Sequence, residues 1–213
     1  MRFRVRSGFV VAVMAVTAIA STATRAQEEG NPERGEHLAN TCLGCHGVPN
    51  YKNAFPNYSV PKLEGQHREY IVLALQAYRS GERSHITMHS QASSLSDQDM
   101  RDIAAFFSRE PLKPDAQPVG QAPEAAQVCV ACHGQNGVGI TPQYPTLAGQ
   151  HADYLERALH DYKKGGRKNA IMGTFASQLK DSDIRVLAEY YSRQRPALQT
   201  ENRPSTILTA DND

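Results

Sequence analysis

All four cysteines of the chain fall in two short boxes, "TCLGCHG" at residues 41–47 and "VCVACHG" at residues 128–134. In each box two thiols lie three positions apart and a histidine follows the second. Two thiolates and an imidazole can begin a zinc clip, and a CxxC pair alone can serve as a redox dithiol. The same spacing with the histidine attached is the signature of covalent c-type haem attachment. Disulfides joining distant segments would need cysteines that this chain does not have.

An internal repeat bears on the choice. At a constant offset of 84, residues 61–88 and 145–172 are identical at 12 of 28 positions. The shared positions include Pro61/Pro145, both Gly-Gln-His triplets, Tyr70/Tyr154, Gly81/Gly165, Arg83/Arg167 and Met88/Met172. The boxes themselves are offset by 87, so the first copy carries three extra residues between its box and its proline. The chain is a duplicated module of about 80 residues per copy, as self-similarity at fixed offset implies.

Each copy reads as helical. Asn31 and Pro32 open a first helix running into the box, with its counterpart near Pro123. Apolar residues three and four apart predict helices over roughly 67–80 and 151–164, stopping at Gly81 and Gly165. The stripe Met100, Ile103, Ala104, Phe107 follows a Ser96/Asp99 capping box and recurs as Ile184, Leu187, Ala188, Tyr191. No stretch alternates long enough for a sheet, so the fold class is all-α. The expected division is a leader at 1–26, modules at 27–110 and 123–196, a proline-rich linker at 111–122, and a loosely attached tail at 197–213.

The leader expectation rests on Arg2, Arg4 and Arg6, an apolar run from Phe9 to Ala20, and small residues ending at Ala26, the pattern of a secretory signal. The run is short of the roughly 20 residues that span a bilayer; a retained anchor is the alternative. Without the leader the chain carries 19 basic against 22 acidic residues, a net charge of −3. No concentrated basic face for nucleic acid is expected.

Small helical units without tryptophan or a disulfide need another element to complete a core. A large flat apolar cofactor supplies volume, whereas a zinc clip does not. The boxes therefore point to two covalent haem c groups, one on Cys42 and Cys45 with His46 on the iron, the other on Cys129 and Cys132 with His133. For the sixth position, Met1 and Met14 lie in the leader and Met100 matches the core residue Ile184. Met88 and Met172 remain, at equivalent loop positions, as soft thioether ligands that raise a reduction potential. His67 and His151 also match and stand as competing ligands. His85 and His89, facing Asn169 and Gly173 in the second copy, read as surface residues; His37 and His160 receive no role. Arg83 and Arg167 are candidate partners of haem propionates, against the alternative of solvated helix-end arginines.

Two CxxCH boxes, a Pro-x-Leu-x-Gly-Gln motif after each, a tyrosine-rich helix ending in Gly-x-Arg and a methionine downstream resemble the di-haem cytochrome c4 family. The resemblance covers nearly all of the chain after the leader. It implies two tandem class I cytochrome c-like domains in a pseudo-two-fold pair, transferring electrons in the periplasm without enzymatic chemistry. It also implies that the carbonyls of Pro61 and Pro145 accept from the Nδ1–H of His46 and His133, and that Gly35 and Ala122 sit where first and last helices cross. A cytochrome bc complex as donor, a haem–copper oxidase as acceptor and peripheral membrane association follow from the same resemblance. A subunit receiving electrons from a periplasmic dehydrogenase is the alternative. The segment 48–59 is longer and more aromatic than its counterpart and is expected at a haem edge or an interdomain contact.

Overall fold

The computed structural model describes residues 29–110, 112–113 and 116–201. The expected leader and residues 202–213 of the expected tail lie outside them. The fold is all-α, and among the described residues pairing of extended chain is confined to isolated bridges.

The first module contains α1 (Pro32–Leu38), α2 (Asn40–His46), α3 (Arg68–Ser80), α4 (Ile86–Ser93) and α5 (Asp97–Phe107). The Asn31 side chain accepts from the Arg34 N–H, which caps α1 and places Pro32 where its missing N–H costs nothing. Gly35 faces α5 so closely that a Cβ would stand 1.9 Å from the Asp102 carbonyl oxygen. That absence of a side chain lets α1 cross α5, the main helix pairing of the module. Met100, Ile103, Ala104 and Phe107 are buried from α5 together with Ile71, Leu75 and Tyr78 from α3. The Ser96/Asp99 capping box is present.

The second module repeats the plan with a shorter entry. A 3₁₀ turn (Glu124–Ala126) replaces the first helix, followed by α6 (Val130–His133), α7 (Ala152–Lys164), α8 (Ala170–Gln178) and α9 (Asp181–Ser192). The expected crossing residue Ala122 is exposed. The buried small residue is instead Ala126, the counterpart of Ala39, and the turn that carries it packs on α9. One turn is too short to send a second small residue into the crossing. Ile184, Leu187, Ala188 and Tyr191 are all buried as their spacing predicts. Both α3 and α7 end on glycines in the left-handed region, Gly81 at φ 78° and Gly165 at φ 79°, where a Cβ would be strained.

The modules are stitched together around an approximate two-fold relation. Arg83 pairs with Arg167 in an antiparallel bridge, with Ser84 N–H donating to Gly166 and Lys168 N–H to Glu82. The first residues of the expected loose tail are docked. Leu198, 1% exposed, donates its N–H to the Ala148 carbonyl, and Gln199 exchanges two main-chain hydrogen bonds with Glu64. Apolar burial of Ala197 and Leu198 and this pairing outweigh the absence of periodicity that suggested a free end.

Candidate haem sites

Both boxes open onto a cavity of about 560 Å³ that continues across the junction of the modules. Cys42, Cys45 and His46 line one part of it, and Cys129, Cys132 and His133 another. The lining is mostly aliphatic and aromatic, including Leu63, Ile71 and Phe107 on one side and Leu147, Leu155 and Tyr191 on the other.

α2 and α6 deliver the histidines. Each box winds as one helical turn, so the cysteines fall on the same side and the histidine closes the helix, buried beneath them. His46 Nδ1 donates to the Pro61 carbonyl at 2.8 Å, and His133 Nδ1 to the Pro145 carbonyl at 2.9 Å. A carbonyl can only accept, so Nδ1 carries the proton and Nε2 holds the lone pair. Burial pushes both imidazoles below the ordinary histidine value, partly offset by those carbonyls, and keeps them neutral. Burial also raises the Cys42 and Cys129 thiols, the reverse of what activates a redox dithiol. Among the described residues, no three His, Cys, Asp or Glu side chains converge as they would around zinc.

Met88 and Met172 line the same cavity, half-buried. They do not sit in loops, as the sequence suggested, but in the first turns of α4 and α8. The caps explain why. His85 Nδ1 accepts from the Met88 N–H at 3.2 Å, and Asn169 Oδ1 accepts from the Met172 N–H at 2.9 Å. His85 and Asn169, which looked unrelated, do one job at one position three residues before the methionine. His85 is therefore half-buried, edge-on to Tyr58 and Tyr78, while His89 is exposed. His67 and His151 stand at the starts of α3 and α7, away from the cavity lining. His67 Nε2 instead meets the Gly139 carbonyl of the other module at 3.0 Å.

Arg83 and Arg167 are not solvated, being 8% and 7% exposed. Both line the cavity at the junction. Arg83 Nη2 donates to the Tyr154 hydroxyl at 2.5 Å and Arg167 Nη2 to the same oxygen at 3.3 Å. The Arg83 guanidinium also lies over the Tyr78 ring. Segment 48–59 folds back on itself and docks on the other module: Asp153 accepts from Ser59 N–H and Oγ and from Lys52 Nζ. Its length thus serves an interdomain contact, while Tyr58 at its end joins the cavity lining.

The residues fit a covalent haem in each module. Arg83 Nε, Thr146 Oγ1 and Tyr191 Oη are buried without partners among the described residues, and all three belong to residues that line the cavity. Buried polar atoms of this kind call for a group to satisfy them. Two thiols beside an apolar slot and a neutral, pre-oriented imidazole match what a c-type haem requires.

The glutamines of the Gly-Gln-His triplets make a paired intermodule contact that sequence reasoning passed over. Gln66 and Gln150 are 5% and 4% exposed. Gln66 brackets Thr146 of the other module, accepting from its N–H at 2.8 Å and donating to its carbonyl at 3.0 Å. Gln150 brackets Lys62 in the same way, at 2.9 and 3.0 Å. Their exact repetition was the available signal.

Comparison with known proteins agrees with this geometry. The cytochrome c family model matches the chain twice, over residues 32–109 and 120–192. Cytochrome c4 of Pseudomonas aeruginosa is 34% identical over 182 residues, covering 78% of this chain and 89% of that protein. The thiosulfate dehydrogenase electron acceptor of Stutzerimonas stutzeri is 34% identical over 173 residues, covering 72% and 79%. The crystal structure of reduced recombinant cytochrome c4 from Pseudomonas stutzeri superposes with a TM-score of 0.60 at 32% identity, covering 78% of this chain and 99% of that one. With two cytochrome c domains, two sites for covalent haem c and relatives of this similarity, the chain belongs to the di-haem cytochrome c4 family.

Proposed function

We propose that this di-haem electron-transfer cytochrome is an exported, periplasmic carrier whose irons are held by His46 with Met88 and by His133 with Met172. The observation that carries this reading is that Met88 and Met172, at equivalent positions, line the cavity that the boxes open onto, whereas the matched histidines His67 and His151 do not. Each haem, when bound, supplies a one-electron Fe(III)/Fe(II) couple. The chain's residues do the rest. The cysteines fix one edge of the group, the Pro61 and Pro145 carbonyls hold the imidazoles in one tautomer, and the apolar lining keeps water out. The Met88 and Met172 thioethers would favour the ferrous state and, with the imidazoles, would leave the irons no position for a substrate. Arg83 and Arg167, which line the cavity where the modules meet, would neutralise propionates there.

A cytochrome bc complex as donor and a haem–copper oxidase as acceptor suit such a carrier. Among the described residues no helix is long and apolar enough to cross a membrane; peripheral association is compatible with the reading. Oxidised wild type, Met88→Ala and Met172→Ala, compared by absorption and redox titration, test the ligands. Each variant loses half of the methionine–iron charge-transfer absorption and one potential falls. Unchanged spectra in both variants would reject the assignment.

A second reading has specific support, because a relative at 34% identity is described as a thiosulfate dehydrogenase electron acceptor. In that reading this chain takes electrons from one periplasmic dehydrogenase. Stable co-purification with a catalytic subunit under mild conditions favours it over a free carrier.

A further inference from the structure

The peptide unit between Pro61 and Lys62 is gripped from both ends. Its carbonyl accepts from His46 Nδ1 at 2.8 Å, and its N–H donates to Gln150 Oε1 at 2.9 Å. The Pro145–Thr146 unit is gripped alike, by His133 at 2.9 Å and by Gln66 Oε1 at 2.8 Å. In both cases the histidine and the glutamine come from different modules. The glutamine amides are fixed in orientation, since each Oε1 also accepts the next N–H of its own chain, from His67 at 3.0 Å or His151 at 3.1 Å. Each Nε2 meanwhile donates to the bracketed residue's carbonyl at 3.0 Å.

We infer that Gln66 and Gln150 are positioning residues that set the potential of the haem in the opposite module. The inference rests on His46 and His133 being the axial ligands proposed above. A hydrogen bond accepted from an amide N–H pushes electron density toward that amide's carbonyl oxygen. Chains of hydrogen bonds strengthen one another in this way, by roughly 10–30% per bond. The enriched Pro61 carbonyl pulls harder on the Nδ1 proton of His46, and the imidazole becomes a stronger donor to iron. A stronger donor favours the ferric state and lowers the potential. Gln150 therefore acts on the haem tethered at Cys42 and Cys45, and Gln66 on the haem tethered at Cys129 and Cys132. Each redox centre is tuned only when the two modules are docked.

The test is redox titration of the haem-loaded full chain as wild type, Gln66→Met and Gln150→Met. Each step is assigned to its module through the haem-methyl resonances. Gln150→Met shifts the N-terminal haem toward reduction by about two- to threefold in its Fe(II)/Fe(III) ratio. That is roughly 20–30 mV at 59 mV per tenfold for one electron. Gln66→Met does the same to the C-terminal haem. A shift in the variant's own module, equal shifts in both, or none overturns the inference. Should the Met variants not take up both haems, Gln66→Glu and Gln150→Glu decide, because each keeps the acceptor and adds charge. The opposite module's potential then falls by more than its own, and equal or absent shifts overturn the inference. The hyperfine-shifted ring protons of His46 and His133 in oxidised wild type separate the failures. Their absence rejects the ligand assignment, and with it this mechanism. Their presence without a crossed shift rejects this mechanism alone.

Discussion

Gly35 of α1 and Asp102 of α5 meet main chain to main chain, so that a Cβ on Gly35 would stand 1.9 Å from the Asp102 carbonyl oxygen and 3.1 Å from the Ile103 nitrogen. Backbone atoms cannot swing aside as a flexible side chain can. Gly35→Ala therefore forces the two helices apart and costs about 3 kcal/mol, the upper end of ordinary overpacking. Gly173 in α8 has nothing within 4 Å of its hypothetical Cβ. Gly173→Ala is neutral or stabilises by up to about 1 kcal/mol through helix propensity. Denaturant midpoints of the two haem-loaded variants check both.

Asp102 is 1% exposed, and burial would raise its carboxyl. Hydrogen bonds from Asn31 N–H at 2.7 Å, from Arg34 Nη1 and from Gln98 Nε2 at 2.8 Å outweigh burial and hold it below 3.8. A carboxyl depressed in the folded state contributes stability above its unfolded value and loses it as pH falls through the folded one. Acid unfolding of the first module below about pH 4 therefore includes protonation of Asp102. Asp102→Asn removes that share of the pH dependence and destabilises the module at neutral pH, because an amide N–H₂ cannot accept from the donors that the buried carboxylate serves. Urea melts at several pH values measure it.

Burial would raise the Tyr154 phenol, but Arg167 and Arg83 pull it down to about 8 from the usual 10. Being depressed on folding, the phenol contributes stability above pH 10 that is progressively lost as pH falls toward 8. Arg83→Met removes one of those charges, so Tyr154 titrates higher in that variant. The same change takes a buried cation from the lining of the cavity and is expected to lower the haem potentials. Carbon-13 labelling at the tyrosine ζ position, with Tyr154→Phe as the assignment control, follows the titration. Redox titration follows the potentials.

Asp153 accepts three hydrogen bonds from segment 48–59, two of them from Ser59 at 3.0 and 2.9 Å. Burial would raise its carboxyl, yet these bonds and Lys52 lower it. The side chain is 37% exposed, so solvent discounts the gain. Asp153→Ala costs about 1 kcal/mol. It also speeds proteolysis within 48–59, whose tip carries Phe55 at 95% exposure. Limited digestion beside wild type reads the difference.

The haem boxes, the helices around them and the duplication were legible in the sequence because each is local. Cysteine spacing, the Met100–Phe107 stripe and the Gly81 and Gly165 stops are written within one or two turns of chain. What sequence reasoning missed is nonlocal or chemically disguised. The Gln66–Thr146 and Gln150–Lys62 contacts join residues 80 and 88 positions apart, and nothing near either glutamine announces its partner. His85 and Asn169 differ as residue types but present the same acceptor to the methionine N–H. The methionines looked like loop residues because only that cap marks the start of their helices. Ala122 was chosen by alignment to Gly35, but the second module begins with a single 3₁₀ turn and uses Ala126.

The docked strand at 197–199 has a consequence in time. A polypeptide is made from its N-terminus, so Glu64 and Ala148 wait for Leu198 and Gln199. Each module can collapse around its own helices early, since their contacts are short in sequence. This part of the seam closes only after both modules have been made, which makes it a late step in assembly of the pair. Docking of residues 197–199, rather than folding of either module alone, is the event that completes this seam.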